Sequence, residues 1–144
     1  MDFQPQTAQA MYPSLHPRGF RLPDVGEIRN MFDIMFASAT ALTAGLAAGG
    51  QAGALLLTFG NSEVDTANAG DGVMAPYPAL PGLSFQIYDA SGQAIQVYGQ
   101  GLDTIIPVGS NTPAAAATGV SQANFNVDKY VCFTKGVWKQ TILA

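Results

Sequence analysis

Apolar and polar positions alternate most clearly over residues 83–99, LSFQIYDASGQAIQVYG. Leu83, Phe85 and Ile87 fall on one side of an extended chain, and Ser84, Gln86 and Tyr88 on the other. After a short break Ile95 and Val97 oppose Gln96 and Tyr98. This period-2 pattern belongs to a sheet with one buried face and one wet face. Asp89-Ala90-Ser91-Gly92 suits a type I turn closed by a left-handed glycine, so the pattern predicts a hairpin. In that register Phe85 lies opposite Val97, Ile87 opposite Ile95, and Gln86 opposite Gln96.

The same reading gives short strands over residues 54–59, 103–108, 120–127, 130–134 and 137–143. Pro107 confines its strand to a sheet edge or strand end. Asp128-Lys129 joins two of the strands, and Lys135-Gly136 turns the chain into the last, with Trp138 and Ile142 on one face. Residues 61–72, NSEVDTANAGDG, read as a polar turn-rich loop with a short apolar piece, Val73-Met74, after it. Pro76, Pro78 and Pro81 form a stiff connector, residues 110–119 an Ala-rich loop, and residues 37–53 a fraying helix or a loop. Short strands between Gly, Pro and Asn turns predict a mainly β domain, a β-sandwich or small barrel, over residues 37–144.

A helical period occurs over residues 24–36. Asp24 is a good N-cap, Glu27 completes a capping box, and Ile28, Met31, Phe32, Met35 and Phe36 line one face. This predicts one short amphipathic helix. Residues 1–23 hold four prolines and spaced apolar residues, Phe3, Met11, Tyr12, Leu15 and Phe20, with no core periodicity. They predict an extended N-terminal arm laid along a neighbour's surface, because a disordered tail normally lacks aromatics.

Composition changes this picture in one respect. Charged residues make up 11% of the 144-residue chain, against about 25% in a typical soluble domain. A surface this poor in charge is weakly protected against association, which points to cover by partner chains and a homo-oligomer, dimer or trimer. The net charge of −4 and the absence of a basic stripe argue against nucleic acid. Residues 34–62 carry no charged side chain and hold Gly45 and Gly49 at the G-x-x-x-G spacing of membrane helices. Their Ala, Thr and Gly content is too weakly apolar for a bilayer span, so no membrane segment is expected. Asp2 and the early prolines do not suit a secretory signal.

Candidate chemistry is sparse. The single histidine, His16, lies in the arm, and the single cysteine, Cys132, lies in an apolar strand, which excludes an internal disulfide. No catalytic residue, cofactor motif or metal site is predicted; Gly99-Gln100-Gly101 lacks the third glycine and the helix of a dinucleotide fingerprint. Glu63, Asp65, Asn68 and Asp71 are the densest set of oxygen ligands. Their spacing is not that of an EF-hand, and turn chemistry accounts for the same residues. The outward Gln86, Tyr88, Gln96 and Tyr98 suit either a subunit contact or the stacking and hydrogen bonding of a saccharide.

The order of segments over residues 37–143 resembles small structural proteins of tailed-phage virions, particularly capsid cement or decoration proteins. An Ala/Thr-rich lead (Ala39 to Leu42) is followed by Gly70-Asp71-Gly72-Val73 and Pro76. A segment Ile87 to Tyr98, an Ala-rich stretch (Ala114 to Ala117) and an aromatic-terminated end (Tyr130 to Trp138) come after it. The resemblance implies a jelly-roll-like sandwich, not an enzyme, that sits on the outer capsid of a virion and ties major capsid subunits together after synthesis in the host cytoplasm. Partner contacts are then expected at Phe3, Tyr12, Leu15 and Phe20 of the arm and at Gln86, Tyr88, Gln96 and Tyr98. The alternative is a carbohydrate-recognition or adhesion module of a phage structural apparatus.

Overall fold

A computed structural model of the chain describes residues 38–143. The expected arm over 1–23 and helix over 24–36 lie outside the described residues. The rest is mainly β, as expected, and its strands form two mixed sheets. The strands are β1 (Ser38–Thr43), β2 (Leu55–Leu56), β3 (Gly60–Thr66), β4 (Gly72–Met74), β5 (Ser84–Asp89), β6 (Ile95–Tyr98), β7 (Thr104–Ile106), β8 (Val120–Gln122), β9 (Val127–Thr134) and β10 (Val137–Ile142). One sheet has the order β1-β3-β5-β9-β10-β7 and the other β2-β4-β6-β8.

Successive strands change sheet at every step from β1 to β9. The pairs β1–β3, β3–β5, β2–β4 and β4–β6 are therefore parallel, each crossover being made by a strand of the opposite sheet. The first six strands wind as a flat coil, two strands per turn. Antiparallel β9 closes the growing edge of one sheet, and antiparallel β8 closes that of the other. Among the described residues only β9 and β10 form a hairpin between consecutive strands, turning at Lys135-Gly136 with Gly136 at φ 77. β7 pairs with β10 at the outer edge, where Pro107 had confined it.

This wiring corrects the hairpin expected over residues 83–99. β5 and β6 do not pair; β5 lies between β3 and β9, and β6 between β4 and β8. The segment between them is an arch that carries the chain from one sheet to the other. The Asp89 carboxylate holds its corner, Oδ1 accepting from the Ser91 amide (3.0 Å) and hydroxyl (2.7 Å). Phe85, Ile87, Ile95 and Val97 are all buried as expected, but they meet across the core from opposite sheets. Alternation specifies which side chains point inward. It is silent on whether two successive strands share an edge or a face.

Other expectations are also corrected. The loop over 61–72 is in large part β3, a central strand whose inward positions are Gly60, Ser62 and Val64. Its inward residues are small or polar except Val64, so the alternation carried little apolar signal. Residues 37–53 contain β1, then a 3-10 turn (Ala47–Gly49) and one α turn (Gly50–Gly53). The strand over 54–59 shrinks to Leu55–Leu56, and that over 120–127 to Val120–Gln122. Asp128-Lys129 lies within β9 and joins nothing.

The core has an apolar part and a polar part. Phe85 stacks on its cross-strand partner Tyr130 (centroids 4.8 Å apart, planes 6° apart) and meets Trp138 edge-on at 4.9 Å. Such pairs add about 1 kcal/mol each beyond their burial. Beside them, Asp89, Asp128, Gln122 and Gln140 are buried between the sheets.

Candidate functional site

The outer face of the six-stranded sheet carries the side chains that alternate with the core row. On β3 these are Asn61 and Glu63, on β5 Gln86 and Tyr88, and on β9 Val127 and Lys129. Register sets them side by side: Asn61 is the neighbour of Gln86, Glu63 of Tyr88, and Tyr88 of Val127. β1 runs beside β3 with Ser38 next to Asn61, then loses register between Ala39 and Leu42, where Ala41 adopts φ 56. A groove of about 250 Å³ lies along this face. Ser38, Thr40, Asn61, Glu63 and Gln86 supply its polar lining, and Tyr88, Val127 and Ala39 its apolar lining. Among the described residues Glu63 is the only charged one that lines it.

The structure thus brings Gln86 and Tyr88 together in a groove and separates them from Gln96 and Tyr98. The second pair lies on β6 in the other sheet, so the four residues do not form the single outward row expected of a hairpin. Tyr98 is also only 9% exposed. Its ring packs against two glycines: a Cβ on Gly72 would lie 2.6 Å from the ring, and one on Gly119 2.9 Å from it. Tyr98 is a packing residue, and its expected role as a surface contact is corrected. Phe3, Tyr12, Leu15, Phe20 and His16 lie outside the described residues.

Glu63, Asp65, Asn68 and Asp71, the densest set of oxygen-bearing residues in the sequence, do not converge. Asp71 is occupied in bracing two loops, with Oδ1 accepting from the Ala47 amide (2.8 Å) and Oδ2 from the Asn68 amide (2.8 Å) and side chain (3.1 Å). The amide of Asn68 and then that of Ala47 hold its pKa below the ordinary carboxylate value. Glu63 faces the groove, and Asp65 is exposed. Among the described residues no group of three or more His, Cys, Asp or Glu side chains is placed to hold a metal ion.

Sequence reasoning missed a second polar constellation, the one inside the core. Gln140 Nε2 donates to Asp128 Oδ2 (2.6 Å) and lies 3.3 Å from the Tyr130 hydroxyl. That hydroxyl donates to Gln122 Oε1 (3.1 Å), and Gln122 Nε2 donates to the Ile87 carbonyl (2.9 Å). The chain of bonds ties β8 of one sheet to β5, β9 and β10 of the other. Burial pushes the Asp128 carboxyl up, against the bond from Gln140; it also pushes up Asp89, against the Ser91 bonds. Asp128 Oδ1 and Asp89 Oδ2 have no partner. Burial and the Asp128 charge drive the Tyr130 phenol well above its usual value, so it remains a neutral donor. The signal was present in the inward phase of β8 and β10, where glutamine follows Val120 and Trp138 at a spacing of two. Cys132 is likewise sealed; burial raises its thiol pKa and Sγ donates to the Thr134 carbonyl (3.1 Å), which makes it a poor nucleophile.

Large apolar side chains also remain outside, including Leu102 (87% exposed), Phe133 (73% exposed) and Phe125, which is held at φ 61. Among the described residues no helix is long and apolar enough to cross a membrane. No protein-family profile, no curated protein and no solved structure matches the chain.

Proposed function

We propose that this protein is a non-enzymatic structural component of a phage virion, a cement or decoration protein that binds the outer surface of an assembled capsid. It ties adjacent major capsid subunits together and acts as a small homo-oligomer, without nucleic acid, membrane or cofactor. The observation that carries this reading is the surface: Leu102, Phe133 and Phe125 project from a β domain in a chain with few charges. Exposed aromatic and aliphatic groups with sparse charge suit the centre of a protein interface. The buried polar groups, by contrast, face each other inside the sandwich and serve the fold. A ligand that binds the assembled lattice and not its free subunits stabilises that lattice by mass action. Repetition over a shell multiplies the effect, since each bridging contact benefits from high effective concentration.

The test is co-sedimentation of the purified chain with capsids stripped of small surface proteins, together with heat and low-salt challenge of virions lacking it. Saturable binding and fragile virions are expected. Absence of binding, with unchanged virion survival, ends this reading.

A further inference from the structure

We infer that the groove on the outer face of the six-stranded sheet binds a single neutral pyranose ring, stacked on Tyr88 and read by Glu63, Gln86 and Asn61. This stands on the groove alone and is independent of the capsid reading.

A pyranose presents an apolar face of C–H groups and a rim of hydroxyls. Its recognition needs one open aromatic face and several planar polar groups around it. Those side chains occupy a square block of the sheet, with Asn61 beside Gln86 in one row and Glu63 beside Tyr88 in the next. Adjacent strands lie about 4.8 Å apart and same-face residues about 6.6 Å apart along a strand, so the block has the dimensions of one sugar ring. Tyr88 is 38% exposed, which leaves ring surface for stacking. A carboxylate and two amides offer paired acceptors and donors to neighbouring hydroxyls. Ser38 and Thr40 of β1 add hydroxyls along the rim, and Val127 extends the apolar floor.

Charge selects among sugars. Among the described residues Glu63 is the only charged side chain that lines the groove; Lys129 stands beside Gln86 on the same face, and the chain as a whole carries −4. Glu63 adjoins Tyr88 itself whereas Lys129 adjoins Gln86 one row away, so sialic acids, uronic acids and sugar phosphates are disfavoured relative to neutral hexoses and N-acetylhexosamines. The groove is smaller than the pockets that enclose drug-sized ligands, so one ring is held and affinity is in the millimolar range.

Saturation-transfer NMR on the full chain tests this with the methyl glycosides of glucose, galactose, mannose and N-acetylglucosamine, and with N-acetylneuraminic acid as the anionic comparison. At least one neutral glycoside is expected to show transfer to its ring C–H protons. Binding weakens about tenfold in Tyr88→Ala and survives in Tyr88→Phe, as stacking of this strength requires. Glu63→Gln weakens binding less and reduces the exclusion of the anionic sugar. Tyr88 and Glu63 point outward, so all three variants keep the wild-type thermal midpoint. Transfer to none of the neutral sugars, binding unchanged in folded Tyr88→Ala, or preference for the anionic sugar overturns the inference.

Discussion

Gly45 and Gly49 have the spacing of a membrane-helix motif, yet the fold uses them differently. A Cβ on Gly45 would collide with the Gly53 carbonyl oxygen and lie 2.8 Å from Ala54 Cα, whereas a Cβ on Gly49 would meet nothing within 4 Å. Gly45→Ala is therefore expected to lower stability by about 2 kcal/mol or more, since backbone must move, and Gly49→Ala to leave it unchanged. Thermal denaturation of the two variants checks the contrast. Asp128 makes a second residue-scale prediction. Burial raises its pKa above the ordinary 3.8, so the folded protein holds this proton more tightly than the unfolded chain. The associated stability is fully present below that value and is lost as pH rises through the folded-state pKa. Asp128→Asn keeps an acceptor for Gln140 and removes the charge. It is expected to stabilise the protein by about 1 kcal/mol at neutral pH, with the gain shrinking to nothing on acidification. A variant less stable than wild type at pH 7, measured by denaturant titration, contradicts this account.

At the scale of elements, β8 is the least secured part of the second sheet. It is three residues long and pairs only with β6. Gln122 ties it to the opposite sheet through the Ile87 carbonyl and the Tyr130 hydroxyl. Tyr130→Phe retains the stack on Phe85 but leaves a buried Gln122 oxygen without its donor, a loss of about 1–2 kcal/mol. Hydrogen exchange is expected to accelerate first in β8 and in the amides of β6 that face it, with β5 and β9 less affected. Uniform acceleration across both sheets would show that β8 is not a separate opening unit.

For the whole molecule, the buried side chains of the described region run from Ala44 to Gln140 and close a core between the two sheets. Removal of residues 1–23 is therefore expected to leave the unfolding of the β domain unchanged and, under the proposed function, to weaken capsid binding. Trp138 is the only tryptophan and is fully buried against Phe85, so its emission reports the core directly. A large drop in the midpoint of its red shift after that deletion places the arm in the fold and not in the interface.

Which residues turn inward was legible without a structure. Phe85, Ile87, Ile95 and Val97 were read as core from period-2 alternation and are core, because inward phase is a property of consecutive side chains on a pleated strand. Trp138 and Ile142 were read only as sharing a face, and of these Trp138 is buried while Ile142 is 47% exposed. The mainly β class and the edge position of the strand before Pro107 were legible for equally local reasons. Strand pairing was not. The arch at Asp89–Gly92 and a hairpin need the same polar, glycine-containing link, and only the competition of β3 and β9 for the edges of β5 decides between them. Gln86 and Tyr88 were separated from Gln96 and Tyr98 by that decision and joined instead to Asn61 and Glu63 of β3, a strand whose small inward residues concealed it. The polar chain from Gln140 to Gln122 follows the same logic, since its members meet only when two sheets close on each other. Sequence determined the phase of each strand, and tertiary structure decided the neighbours, because neighbours depend on hydrogen bonds between segments far apart in the chain.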